Sequence, residues 1–234
     1  MSSMPMSRSA PVAGDRVGAF FDVDNTLIPG SAIEVRFFRY LWQRGLVGWH
    51  ETIRSAGFLV RHIPPISLQA LRERKLYLAG KRPEVIEPLA EEFVRSAICP
   101  GLSAEGLAAL RRHQDAGHRL ALITGSLDFL VAPLACFLEV ETVLAARPER
   151  RDGRYTGHLL PPFPYGEGKR RLIESFASNH GLDLSGSFAY GDSPGDEEAL
   201  RLVGHPLVVN PIRGMARIAR RHGWRVEKWS SMQR

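Results

Sequence analysis

The stretch FFDVDNTLIPG, residues 20–30, joins the end of an apolar run to two closely spaced carboxylates. Residues 17–21 are short, apolar and preceded by charge, which is typical of a buried strand. Asp22 and Asp24 stand one residue apart, and like charges held this close repel unless a cation, a proton or a helix terminus compensates them. Two interpretations are open at this point: a strand-end turn in which Asp24 caps the next helix, or a functional pair of acids.

The composition is that of an ordinary globular protein, with 234 residues, 44% hydrophobic and 24% charged. This length suits one domain, or one domain that carries an insertion. The net charge of +6 suits an anionic ligand without establishing one. Cys99 and Cys136 lack metal-type spacing, and we expect both to be reduced. Residues 1–16 have no signal-peptide core and are predicted to be a disordered tail.

Two segments resemble membrane or nucleic-acid elements at first sight. Segment 120–140 is apolar and about as long as a membrane span, but Thr124-Gly125-Ser126, Asp128 and Pro133 interrupt it. Segment 213–229 is basic with interspersed aromatics, but its apolar residues fall on one helical face, as in an amphipathic surface helix. We therefore predict no membrane and no nucleic-acid partner, and a monomer or homodimer.

The rest of the chain divides into a helical block and an alternating block. Between residues 31 and 99 apolar residues recur at helical spacing in 31–45, 49–63, 67–80 and 83–98, without a convincing strand. From residue 103 onward strands and helices alternate, with a hairpin turn signal at Asp152-Gly153. Such alternation is typical of a parallel sheet covered by helices on both faces. The predicted fold class is therefore α/β, with an all-helical insertion after the first strand.

Polar residues follow several predicted strands, where ligands bind in open α/β sheets. They are Asp22 and Asp24 after the first strand, Thr124-Gly125-Ser126 after the second and Gly191-Asp192 after the fourth, with Lys169 at a helix start behind the glycines of YGEGK. This combination suits phosphoryl transfer, because a carboxylate can attack phosphorus and form an acyl-phosphate. A divalent cation held by further carboxylates would cancel the repulsion between the two anions.

Each acid has an expected role in this chemistry. Asp22 would be the nucleophile, and Asp24 would protonate the leaving oxygen and later deprotonate the attacking water. Asp192 would hold the metal together with Asp22. Asp196 would bind the metal directly or support a residue that does.

The remaining groups would contact the phosphate. Thr124 and the amide of Gly125 would donate hydrogen bonds to phosphate oxygens, and Lys169 would supply a fixed positive charge. Ser126 also follows a predicted strand, but it has no visible partner base, so a nucleophilic serine is not favoured.

Four short motifs in chain order resemble those of the haloacid dehalogenase-like hydrolases: DVDNT at 22–26, ITGS at 123–126, GEGK at 166–169 and GDSPGD at 191–196. The first motif alone is a modest signal, whereas all four in order are a strong one. The motif spacing and the helical insertion after the first motif look like the phosphoserine-phosphatase-like subfamily, known as subfamily IB.

The resemblance implies a Rossmann-like three-layer core over 17–30 and 100–234, a small all-helical cap over 31–99, Mg²⁺ and an aspartyl-phosphate intermediate. Carried over by position, the family's motif residues fall on Asp22, Asp24, Thr26, Thr124, Gly125, Lys169, Asp192 and Asp196. The resemblance also implies that the side chains of Asp22 and Asp192 and the backbone carbonyl of Asp24 bind the metal. The Asp24 side chain is then kept for protons, and Thr26 joins the phosphate-binding group.

Two positions depart from the subfamily pattern. Gly195 stands where phosphoserine phosphatases usually have Asn, so a polar contact near the metal is missing. The Glu that holds the substrate's ammonium group there falls near Ser31 in this chain, and the nearest acid is Glu34, about one helical turn further on. We expect a cytoplasmic, Mg²⁺-dependent phosphatase that acts on a small phosphorylated metabolite resembling phosphoserine or histidinol phosphate. Phosphotransfer to an alcohol and a non-catalytic regulatory role are the alternatives.

The predicted cap supplies none of the motif residues, yet we expect it to close over them as a lid that excludes stray water. Its hinges are predicted at Pro29-Gly30 and Cys99-Pro100-Gly101, where glycine and proline favour short linkers. Arg72 and Arg74 are the cap residues that we expect to affect the choice of substrate.

Overall fold

A seven-stranded sheet in the order β4-β3-β2-β1-β5-β6-β7 forms the centre of the computed structural model, which describes residues 16–48 and 74–231. The strands are β1 (Gly18–Phe21), β2 (Arg119–Leu127), β3 (Thr142–Arg151), β4 (Arg154–Leu160), β5 (Phe188–Gly191), β6 (His205–Val209) and β7 (Arg225–Glu227). Neighbouring strands run parallel, except β3 and β4, which are antiparallel. The predicted α/β class with a parallel sheet is confirmed.

Helices cover both faces of this sheet. They are α1 (Ile33–Gln43), α2 (Pro83–Phe93), α3 (Ala104–Asp115), α4 (Asp128–Phe137), α5 (Glu167–His180), α6 (Glu197–Leu202) and α7 (Met215–His222). Phe21 packs into a core with α1 to α4, whereas Phe20 packs into a second core with α5 to α7. Successive strand residues point to opposite faces, so this gives the three layers of a Rossmann-like fold. In the described ranges, every helix is too short or too polar to cross a bilayer.

The predicted hairpin is present between β3 and β4. Arg151 pairs with Arg154, so Asp152 and Gly153 alone form the turn. Both have left-handed backbones, with φ of 50° and 69°, as the favoured two-residue hairpin turns require.

One predicted turn is instead part of a strand. Thr124-Gly125-Ser126 lies inside β2, whose pairing with β3 shifts between Thr124 and Leu127. Thr124 pairs with Ala145 and Leu127 with Ala146, so Gly125 and Ser126 form a bulge. A bulge redirects side chains without ending the strand, which is why the turn signal was misleading.

The helix predicted over 67–80 is wrong for its described part. Residues 74–80 contain a single 3-10 turn, Leu76–Leu78, and the backbone of Arg74 forms an isolated antiparallel β-bridge with His158. The reason is pairing with β4, because the N–H groups of Lys75 and Gly80 donate to carbonyls of that strand instead of to a helix. Segments 49–63 and 67–73, with Arg72, and almost all of the predicted tail lie outside the described residues. The bounds 31–99 of the cap stay a prediction.

Candidate active site

The charged motif residues meet at the carboxyl edge of the sheet, around a buried lysine. Lys169, in the first turn of α5, donates from Nζ to Asp22 Oδ1 at 2.6 Å and to Asp196 Oδ1 at 2.5 Å. Its third hydrogen bond, of 3.0 Å, goes to the carbonyl of Ile123 in β2. All three charged side chains are buried. Asp22 and Lys169, two of the groups expected at this edge, are therefore hydrogen-bonded there, and Asp196 joins them.

Negative charge exceeds positive charge among these groups. Carboxylate oxygens of Asp22, Asp192 and Asp196 lie within 4.8 Å of one another. Burial raises the pKa of Asp22 well above its usual range, and the neighbouring acids add to this although Lys169 opposes it. Burial also raises the pKa of Asp192 to about 6, an effect that its hydrogen bond from Asn25 reduces. A cluster of three buried carboxylates fits Mg²⁺, which prefers oxygen ligands.

The lysine remains charged in this setting. Burial alone would lower the pKa of Lys169, but Asp196 and Asp22 outweigh burial and raise it. The ammonium group is therefore a fixed cation beneath the two carboxylates.

Asp196 supports its neighbours with both oxygens. Oδ1 accepts from Lys169, while Oδ2 accepts from the backbone N–H of Asp192 at 3.2 Å, and from the N–H and Oγ of Ser193 at 3.0 and 2.9 Å. With four donors on two oxygens, Asp196 fixes the loop that carries Asp192. This arrangement favours support over direct metal binding, the two roles expected for this residue.

Asp24 accepts hydrogen bonds on both carboxylate oxygens, one of them from the start of a helix, as the first interpretation of the opening motif expected. Its Oδ1 accepts from the backbone N–H of Ile33 at 2.6 Å, at the start of α1. Its Oδ2 accepts from Ser126 Oγ at 2.6 Å and from Thr124 Oγ1 at 3.5 Å. The acid therefore caps a helix and accepts from two hydroxyls of β2, one in the bulge and one directly before it. Sequence reasoning considered Ser126 only as a nucleophile and missed this role.

The predicted phosphate-binding residues lie at different depths. Thr26 and Thr124 are fully buried, and Thr26 donates to Asp22 Oδ2 at 3.2 Å. Gly125 is exposed at the surface of the bulge. Thr26 is thus placed to orient the Asp22 carboxylate, whereas Gly125 is open to a ligand.

Two asparagines were missed by the sequence analysis. Asn25 Nδ2 donates to Asp192 Oδ2 and to the carbonyl of Asn210, both at 2.9 Å. Asn210 in turn donates from Nδ2 to the carbonyls of Asn25 and Trp229, each at 2.9 Å. Asn210 directly follows β6, so the rule that placed Asp22 after β1 would also have found it.

The Gly195 departure has a steric cause. A Cβ atom at this position would lie 2.3 Å from Cε2 of the Tyr165 ring. The N–H of Gly166 also donates to the Gly195 carbonyl at 2.9 Å. The ring of Tyr165 occupies the space that an asparagine side chain would need.

A cavity of about 460 Å³ adjoins Asp24, Gly125 and Ser126 on one side and α1 on the other. A larger groove, of about 1460 Å³, lies among α2, α4 and β3, and its lining includes none of the eight predicted site residues. The smaller cavity is the one next to the acids.

Comparison with known proteins identifies the family. The profile of the haloacid dehalogenase-like hydrolases matches residues 19–201, so the chain belongs to this family. It is 30% identical to a phosphoserine phosphatase of Mycobacterium tuberculosis over 241 residues, covering 96% of this chain and 78% of the relative. It is also 30% identical to a histidinol-phosphatase of Neisseria meningitidis over 215 residues, covering 89% and 96% respectively.

A solved structure shows the same fold. A Bordetella pertussis protein of unknown function is similar, with a TM-score of 0.77 and 32% identity, covering 90% of this chain and 97% of that one. The predicted class, a phosphatase-type hydrolase of the haloacid dehalogenase family with relatives among the phosphoserine phosphatases, is confirmed.

Proposed function

We propose that this chain is a Mg²⁺-dependent phosphomonoesterase that acts through an aspartyl-phosphate. The observation that carries the proposal is the setting of Asp22, whose Oδ1 accepts from Lys169 and whose Oδ2 accepts from Thr26. These two hydrogen bonds hold the carboxylate in one orientation for attack. The names of two relatives, a phosphoserine phosphatase and a histidinol-phosphatase, support the same class of reaction.

Asp22 and Asp24 have different roles in the proposed reaction. A carboxylate oxygen of Asp22 bonds to phosphorus as the bond to the leaving alcohol breaks, and Asp24 gives that alcohol oxygen a proton. In the second half, Asp24 takes a proton from a water molecule that attacks phosphorus and releases Asp22. Ser126 and the N–H of Ile33 keep Asp24 in place for both transfers.

The other residues bind and balance charge. The side chains of Asp22 and Asp192 and the carbonyl of Asp24 would hold Mg²⁺, with Asp196 in support. The bound ion would offset the repulsion between carboxylate and phosphate. Thr124 and the Gly125 amide would donate to phosphate oxygens.

We also propose that the segment 31–99 is a cap that closes over this site. One support is α1, whose first residue, Ile33, donates its backbone N–H to the Asp24 side chain. The other is the cavity lining, which includes Glu34, Phe38 and Lys75. The predicted hinges fit this role, since Gly30 is exposed with φ of 96° and residues Cys99–Gly101 form only a 3-10 turn. Arg74 is described and Arg72 is not, so their proposed influence on substrate choice stays a prediction.

The test is hydrolysis of p-nitrophenyl phosphate. We expect turnover with Mg²⁺, its loss with EDTA, and a fall of at least about a thousandfold in kcat for Asp22→Asn, because the nucleophile is removed. Near-normal turnover by Asp22→Asn would show that the aspartyl-phosphate mechanism is wrong. Phosphoserine and histidinol phosphate are the first natural substrates to try, and we propose a cytoplasmic location.

A further inference from the structure

The wall of the cavity beside Asp24 contains a pre-formed ion pair. Lys75 Nζ donates to Glu34 Oε2 at 2.5 Å, and Tyr77 OH donates to Glu34 Oε1 at 3.1 Å. The Lys75 and Glu34 side chains are only 14% and 17% exposed. Glu34 is the one acid that the described residues place on this wall, and both of its oxygens accept hydrogen bonds from groups of the protein.

The backbone holds this pair in position. The N–H of Lys75 donates to the carbonyl of Gly157 at 2.8 Å, and that of Gly80 donates to the carbonyl of Tyr155 at 2.8 Å. The segment that carries Tyr77 is thus hydrogen-bonded to β4 on both sides of the turn. Burial, with Glu34 close by, raises the pKa of Tyr77 well above its usual range, so its hydroxyl remains a donor.

Among the described residues, the charges on this wall are balanced before any substrate arrives, because Glu34 is paired with Lys75. An entering ammonium group would have to displace Lys75 from Glu34 or lie beside it, and like charges at such distances repel. The other residues that the described part of segment 31–99 contributes to the lining, apart from Tyr77, are apolar: Ala32, Val35 and Phe38. An uncharged leaving group that carries a hydroxyl or an apolar part neither displaces Lys75 from Glu34 nor is repelled by its charge.

We propose that the Glu34–Lys75 pair determines substrate choice, and that the natural substrate is a phosphate ester of an alcohol that has no ammonium group. This inference rests on the proposed phosphatase function and narrows it, because it excludes phosphoserine and histidinol phosphate, the two amine-bearing esters named above as first substrates to try. Glu34 serves to neutralise Lys75 instead of binding a substrate amine.

The experiment compares two esters that differ in one group, 2-hydroxyethyl phosphate and 2-aminoethyl phosphate. For the wild type we expect kcat/KM to be at least about tenfold higher with the hydroxyl ester, the size of a charge-assisted contact. Lys75→Met frees the Glu34 carboxylate and should reverse the preference. Lys75→Arg keeps the cation and should retain it, and Lys228→Met, at an exposed position outside the cavity, should match the wild type.

A second variant covers the case in which Lys75→Met does not fold. Glu34→Gln leaves the cation unpaired, so it should further disfavour 2-aminoethyl phosphate and raise kcat/KM for 2-phosphoglycolate about tenfold. Calorimetry on Asp22→Asn measures binding of the same esters without turnover, so the preference can be read even if p-nitrophenyl phosphate shows that hydrolysis fails. A wild type that prefers the amine ester in both assays, or an unchanged ratio in folded Lys75→Met, would overturn the inference.

Discussion

At the scale of single residues, the site depends on one buried cation. The ammonium of Lys169 is the shared partner of Asp22 and Asp196, and these three side chains are almost completely buried. Removing one member of a buried ionic group leaves charges without compensation, which costs far more than the intact group contributes.

We therefore expect Lys169→Met to lower the free energy of unfolding by about 3–5 kcal/mol. Urea unfolding in EDTA measures this, because bound metal could otherwise compensate the acids. The matched control is Arg170→Met, the next residue on α5, whose ion pairs are exposed and should contribute less than about 1 kcal/mol. Equal losses for the two variants would show that the lysine is not the electrostatic centre of the site.

The motif residues could be predicted from the sequence because the chemistry demands those residue types at those spacings. Lys169 is hydrogen-bonded to Asp22 across 147 residues and to Asp196 across 27 residues. The strand-end rule placed Asp22, whereas Lys169 was expected from its position at a helix start behind glycines and Asp196 from its position four residues after Asp192. Asn25 and Asn210 were missed. The Asn25 side chain donates a hydrogen bond to the carbonyl of Asn210, 185 residues away, and no local pattern indicates such a contact. An asparagine after a strand is common in turns, so its residue type alone does not indicate a role in a network.

At the scale of elements, most of the core was predictable and the cap was less so. Most strands and helices after residue 103 follow from alternation and from apolar periodicity, but β7 was not predicted. The N-cap of α3 is Ser103, whose side chain accepts from the N–H of Gly106. The segment 74–80 was wrongly predicted to be helical. Its apolar residues recur at helical spacing, but its hydrogen bonds to β4 determine its conformation. The bulge in β2 depends on its register with β3, which local sequence does not encode.

The contact between the loop at 193–196 and the turn before α5 leads to a prediction about Gly195. We expect Gly195→Ala to lower the free energy of unfolding by about 1–3 kcal/mol, since the new methyl group would overlap the Tyr165 ring. Tyr165→Ala should lose less, because the ring is 40% exposed, and the double variant should recover most of the Gly195→Ala loss. Urea unfolding of all four proteins gives the coupling. Additive losses would mean that the ring does not occupy the space above Gly195.

At the scale of the whole molecule, the sheet separates two cores, and the end of the described chain links the larger one, which contains residues of α1 to α4, to the site. Trp229 is buried, packs against Tyr190 and receives a hydrogen bond at its carbonyl from Asn210. The backbone of Ser231 forms an isolated antiparallel β-bridge with Ser103, the N-cap of α3. Packing in the larger core and the geometry around Asp192 are therefore linked through Asn210.

His113 lies in this larger core and makes global stability depend on pH. Its Nδ1 is 2.8 Å from His118 Nδ1 and its Nε2 is 2.8 Å from Tyr190 OH, with the rings of Phe21 and Phe188 against it. Burial, assisted by His118 and Arg112, lowers the pKa of His113 to about 4 in the folded protein. In the unfolded chain the imidazole takes up a proton near pH 6.5.

Because the unfolded state then binds the extra proton, the contribution of His113 to stability is complete above pH 6.5 and is lost as the pH falls toward 4. We expect this residue to lower the free energy of unfolding by up to about 1.4 kcal/mol per pH unit in that window. Urea unfolding at pH 7.0, 5.5 and 4.5 on the wild type and on His113→Gln isolates this share, since the buried acids titrate in both proteins. His222→Gln, at a histidine on the exposed end of α7, is the control for the substitution itself. If His113→Gln loses stability as steeply on acidification as the wild type does, the buried histidine is not responsible for the acid sensitivity of the fold.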